Sequence, residues 1–108
     1  MPSSSWIRVA DRSALKPGEV LAVEVGNQRI ALYNLDGEFF ATDNVCTHAF
    51  ALMSEGFLEG ETIECPLHGG RFDVKTGKGL GPPISCDLKT YPVRLSGQDI
   101  EVSVLVQD

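Results

Sequence analysis

Cys46-Thr47-His48 and Cys65-Pro66-Leu67-His68 decide how this chain is read. Each stretch supplies one thiolate donor and one imidazole donor, and sixteen residues, Ala49 through Glu64, separate them. Together they use both histidines and two of the three cysteines in the sequence. Soft thiolates and imidazoles in equal number suit zinc, or an iron–sulfur cluster in which two histidines replace two cysteines on one iron. Zinc fingers usually group their ligands by type, a Cys pair followed by a His pair. Here each loop carries one of each, which makes sense if the cysteines converge on one metal and the histidines on a second. The competing readings are zinc and a metal-free cluster of buried side chains. Four spaced donors argue against the second. Gly69 and Gly70 follow His68 directly and let backbone approach a bound group, since no Cβ intrudes.

Working outward, the chain reads as strand and turn. Trp6 to Ala10 is a first strand, Asp11 to Leu15 a short loop or turn, and Pro17-Gly18 a turn signal. Glu19 to Val25 is β-branched and apolar, Gly26-Asn27 turns the chain, and Gln28 to Asn34 returns it. Asp36-Gly37 makes a second tight turn into Glu38 to Thr42, giving a meander. From Asp43 to about Pro83 alternation yields to Gly, Pro and the donors, with short extended pieces at Glu61–Glu64 and Arg71–Val74. Strand character resumes over Leu88 to Leu95, and Asp99 to Val106 alternates most cleanly. No window combines sustained helical periodicity with capping signals. The expected fold is all-β: an antiparallel sandwich or open barrel built from 1–42 and 84–108, with 43–83 inserted at its end.

At 108 residues the chain is one domain, and 43% hydrophobic with 22% charged residues is ordinary globular composition. The N-terminus has no basic and apolar stretch of the secretory kind, and no apolar run reaches the length of a membrane span. A soluble, monomeric, cytoplasmic protein is expected, without membrane association. Two cysteines committed to metal leave no disulfide framework. The net charge of −6 argues against nucleic acid as partner. No Lys or Arg occurs between Arg29 and Arg71, while Asp36, Glu38, Asp43, Glu55, Glu59, Glu61 and Glu64 are acidic. Such a one-signed stretch reads either as a solvated face or as a docking surface for a basic partner.

The pattern Cys-x-His…Cys-x-x-His resembles the Rieske [2Fe–2S] motif, and Gly81-Pro82-Pro83 looks like that family's proline-containing third loop. Ala41-Thr42-Asp43-Asn44-Val45-Cys46-Thr47-His48, Gly60 to His68, Arg71-Phe72-Asp73-Val74 and Lys89-Thr90-Tyr91-Pro92-Val93 extend the likeness over nearly the whole chain. It is similar to the Rieske-type ferredoxins of bacterial aromatic-ring-hydroxylating dioxygenase systems, such as the naphthalene and biphenyl ones. The resemblance implies the Rieske fold and one [2Fe–2S] cluster per chain. Cys46 and Cys65 would hold the buried iron, and His48 and His68 the outer one. It further implies a one-electron carrier without catalysis of its own, reduced by an NAD(P)H-dependent flavoprotein reductase and oxidised by a terminal oxygenase. Phe50 stands where many relatives carry a smaller residue. Respiratory-chain Rieske proteins tie their ligand loops by a disulfide at positions matching Ala51 and Leu67, neither of which is cysteine here. They also place a serine and a tyrosine where this chain has Gly70 and Phe72. Without those hydroxyl donors the resemblance implies a potential toward the low end of the Rieske range, about −150 mV.

Two other classes are a tightly bound Rieske subunit of another oxidoreductase complex and a zinc-stabilised interaction module, which colour alone would separate. Gly77-Lys78-Gly79-Leu80-Gly81 has the wrong spacing for a phosphate loop, and Pro82-Pro83 forbids the helix that should follow. Cys86 reads as a small apolar filler, Met53 as core, and Trp6 and Tyr91 as core or rim aromatics.

Overall fold

The computed structural model describes residues 3–47, 51–67, 69–82, 84 and 86–106. Its strands are β1 (Ser3–Asp11), β2 (Val20–Val25), β3 (Gln28–Leu35), β4 (Glu38–Asp43), β5 (Phe57–Glu59), β6 (Thr62–Glu64), β7 (Arg71–Asp73), β8 (Thr90–Tyr91), β9 (Val93–Ser96) and β10 (Asp99–Val106). Single 3₁₀ turns occupy Arg12–Ala14 and Met53–Glu55, and the described residues hold no α-helix. The all-β expectation holds. The first 3₁₀ turn falls within the expected short loop or turn of Asp11 to Leu15, with the Asp11 carboxylate accepting from the Ser13 backbone N–H at its start.

Three antiparallel sheets result, ordered β1-β10-β9, β2-β3-β4-β8 and β5-β6-β7. The β2-β3-β4 meander follows the sequence reading, and its second turn places Asp36 at a left-handed φ of 54°. Aspartate tolerates that conformation better than most residues. Nearby, the Asn34 carboxamide accepts from the Gly37 backbone N–H at 2.7 Å and donates to the Leu15 carbonyl at 2.9 Å. The chain ends meet where β1 pairs with β10, with the register shifting between Arg8 and Ala10.

The expected single strand over Leu88 to Leu95 is divided. Thr90–Tyr91 pairs with β4, while Val93–Ser96 pairs with β10 in the other sheet. Pro92 stands between them; it has no N–H to donate to a ladder, so it suits the step from one sheet to the next. Its carbonyl accepts from Ser103 on the far side of the step.

Burial follows from this layering. Ile30, Leu32 and Ala41 of the middle sheet pack against Ala10, Ile100, Val102 and Val104 of the β1-β10-β9 sheet. Ala31, Tyr33 and Leu35, which alternate with the first set along β3, face a second core. It is formed with Cys46, Met53, Ile63, Cys65, Phe72, Val74 and Leu88. Successive strand side chains point to opposite faces, so β3 contributes to both cores and is buried continuously from Ile30 to Leu35.

Ile100→Ala empties a fully buried place between two sheets and is expected to cost about 2–5 kcal/mol. Phe57→Ala changes a side chain that is 63% exposed and should stay within about 0.5 kcal/mol. Urea unfolding of both variants checks this, and equal losses would contradict the assigned core.

Candidate metal centre

The first donor loop grows out of the end of β4. Asn44 donates its backbone N–H to the Arg29 carbonyl on β3, and its own carbonyl accepts from Met53 N at 2.6 Å. Val45 and Leu52 form an antiparallel bridge, and Cys46 N donates to Ala51 O at 2.9 Å. Residues 44–46 and 51–53 are therefore the two arms of a hairpin, and Cys46 points from it into the second core.

The second donor loop is the turn between β6 and β7. Glu64 is paired with Arg71, and one step on, Cys65 N donates to Gly70 O at 2.7 Å. Gly69 lies at a φ of 69°, a left-handed conformation that disfavours any side chain. That turn requirement is the glycine's visible role. Leu67 donates its backbone N–H to the Cys65 sulfur.

The two hairpins bring Cys46 and Cys65 together from nineteen positions apart in the sequence, close enough for their side chains to share a hydrogen bond. Both are unoxidised, and they are only 5% and 1% exposed. Burial pushes the Cys65 thiol up to about 11; the Leu67 N–H opposes this, and the neighbouring Cys46 adds to the rise. Two adjacent thiolates in apolar surroundings are unfavourable unless a cation neutralises them. Such a pair, with an N–H already aimed at one sulfur, fits a soft metal centre. His48 and His68 lie outside the described residues, as does Phe50.

A third segment closes on the first. Gly77, at a φ of 77°, lies so near Leu88 that a Cβ would sit 2.1 Å from the Leu88 carbonyl oxygen. Asp87 accepts from Gly79 N, Ile84 packs into the second core, and Thr47 Oγ1 donates to Cys86 O at 3.0 Å. Gly79 also forms an isolated antiparallel bridge with Phe72, so the glycine-rich stretch Gly77–Gly81 is pinned to the end of the second donor hairpin. Pro83 lies outside the described residues. Cys86 is exposed and not a packed filler, because its segment runs along the surface. Met53 is fully buried beside the cysteines; Trp6 is a rim residue under the Arg94 guanidinium, and Tyr91 is core.

The acidic stretch is less one-signed in space than in sequence. Arg71 pairs with Glu64 at 3.0 Å, Lys75 with Glu61 at 3.1 Å, and Arg29 is carried by β3 to the foot of the first loop. These pairs are exposed and individually weak. Polar contacts around Asp43 and Asn44 had no sequence signal, since their partners are remote. Tyr91 donates its hydroxyl to Asp43 Oδ1 at 2.5 Å; burial first, and then the carboxylate, raise its pKa, so it stays a donor. Fully buried Tyr33 shares a hydrogen bond with Thr42 Oγ1 at 2.8 Å.

Comparison with known proteins converges on one family. The family described as the Rieske [2Fe-2S] domain matches residues 5–92. The ferredoxin component of the naphthalene 1,2-dioxygenase/salicylate 5-hydroxylase systems of Ralstonia sp. is 51% identical over 98 residues, covering 91% of this chain and 94% of its own. Among solved structures, the Sphingomonas yanoikuyae B1 ferredoxin superposes with a TM-score of 0.86 at 39% identity, covering 91% of this chain and 97% of its own. A structure described as the complex of reduced oxygenase and oxidised ferredoxin in carbazole 1,9a-dioxygenase contains a chain that superposes at 0.85 with 38% identity, over 90% of this chain and 91% of that one. With two buried, unoxidised cysteines brought together from two hairpins, this chain belongs to the Rieske [2Fe–2S] family, among the ferredoxin components of aromatic-ring dioxygenase systems.

Proposed function

We propose that the protein carries single electrons between an NAD(P)H-dependent flavoprotein reductase and the terminal oxygenase of an aromatic-ring dioxygenase system, in the cytoplasm. Cys46, His48, Cys65 and His68 would hold the [2Fe–2S] cluster, within a cluster-binding subdomain of residues 43–83 carried by the basal β-domain of 1–42 and 84–108. The observation that carries this reading is the contact between two buried cysteine side chains presented by separate hairpins. When bound, the cluster supplies a site that takes up and releases one electron.

The residues around it exclude water and set its charge balance. Cys46 and Cys65 would supply two thiolates to offset the cationic irons, and both sit in the apolar core that includes Met53, Ile63 and Phe72. The Leu67 N–H at the Cys65 sulfur supports the more negative state, since a hydrogen bond to a charged group favours the charged form. Phe72 is fully buried and has no hydroxyl, and Gly70 has no side chain, so neither position offers a further donor. That supports a potential near the low end of the Rieske range, about −150 mV, suited to receiving electrons from a flavin.

Optical and EPR spectra of the purified protein, oxidised and dithionite-reduced, test the reading. Iron, sulfide and a Rieske-type signal from one electron per chain are expected; zinc without iron would end it. Gly70→Ser combined with Phe72→Tyr should raise the potential by on the order of 100 mV, if each new donor favours the reduced state by about 1 kcal/mol. An unchanged potential in spectroelectrochemical titration would discredit this account of the tuning.

A further inference from the structure

Asn44 is one of few buried polar residues among those described, 3% exposed, and it stands two positions before Cys46. It ties three segments together. Its N–H reaches Arg29 O on β3, its carbonyl accepts from Met53 N, and its side-chain Oδ1 accepts from Ser54 N at 2.7 Å. The last contact has a specific consequence. The 3₁₀ turn Met53–Glu55 begins at Leu52, which offers no side-chain cap. An uncapped first turn leaves N–H donors without partners. The Asn44 carboxamide takes one of them from across the hairpin, as a cap supplied by a distant residue. It thereby locks the returning arm, with buried Met53, against the arm that carries Cys46.

Resting on the reading of Cys46 as a cluster ligand, we infer that Asn44 is a positioning residue for the metal centre. Its carboxamide oxygen, bonded to Ser54 N–H, holds the first donor hairpin in register and so sets the presentation of Cys46. The relevant atom is an acceptor, not a charge, so aspartate can replace it and alanine cannot. Aspartate also places a negative charge near the centre, which favours the oxidised state.

The test compares wild type, N44A and N44D as holoproteins by three measurements: cluster release to a chelator, EPR line shape, and reduction potential. N44A should release the cluster on the order of tenfold faster, as loss of a ligand-orienting partner typically does, with a broadened signal. N44D should keep the wild-type release rate and line shape with a lowered potential. N44A matching wild type in all three measurements would overturn the inference. So would N44D releasing its cluster as fast as N44A, because the acceptor oxygen would then be irrelevant. Should N44A fail to fold, the N44D result decides by itself: wild-type release with a lowered potential supports the inference, and anything else overturns it. A wild-type protein lacking the Rieske signal would overturn both this inference and the reading beneath it; a normal wild type with an indifferent N44A overturns only the inference.

Discussion

A strand buried on both faces over six consecutive residues governs this structure. From Ile30 to Leu35, β3 is buried on both sides, with Ile30 and Leu32 filling one core and Ala31, Tyr33 and Leu35 the other. Buried apolar area is the dominant favourable term in folding, and here a single strand contributes to two separate stores of it. One store joins the chain ends. The other forms the floor on which the two donor hairpins rest.

That arrangement explains why a small protein can hold two thiols out of water without a disulfide between the two hairpins that present them. The loops are restrained from several directions instead. Cys46 N and Cys65 N each close their own hairpin by a backbone hydrogen bond. Asn44 bridges to the 3₁₀ turn, and Thr47 reaches the third segment at Cys86. Individually such bonds contribute only about 1 kcal/mol, but each is anchored on sheet or core. The cysteine side chains are thus oriented by the protein before any metal is considered, and pre-set donors lower the reorganisation that binding requires.

The electrostatic picture is likewise a product of folding. A run of carboxylates without a cation spans the donor region in sequence. Antiparallel pairing then sets Arg71 opposite Glu64, and Lys75 reaches Glu61 and the face of the Phe40 ring. The fixed charge next to the second donor hairpin is therefore more nearly balanced than a linear count implies.

The donor types, their division between two loops and the β-meander were legible without coordinates, because each depends on local chemistry. Thiolate and imidazole select metals by softness, and Gly26-Asn27 and Asp36-Gly37 select tight turns by backbone sterics. The extended pieces on either side of the second donor loop were legible too, although β5 was not. What only the tertiary structure decided depends on distance. Pro92 divides one apparent strand between two sheets, Cys86 is left on the surface, and Arg29 arrives at the foot of a loop fifteen residues away. Asn44 meets Ser54, and Asp43 meets Tyr91, across separations that no local pattern encodes. A side chain's own chemistry is written in its identity, but its hydrogen-bond partner is chosen by packing.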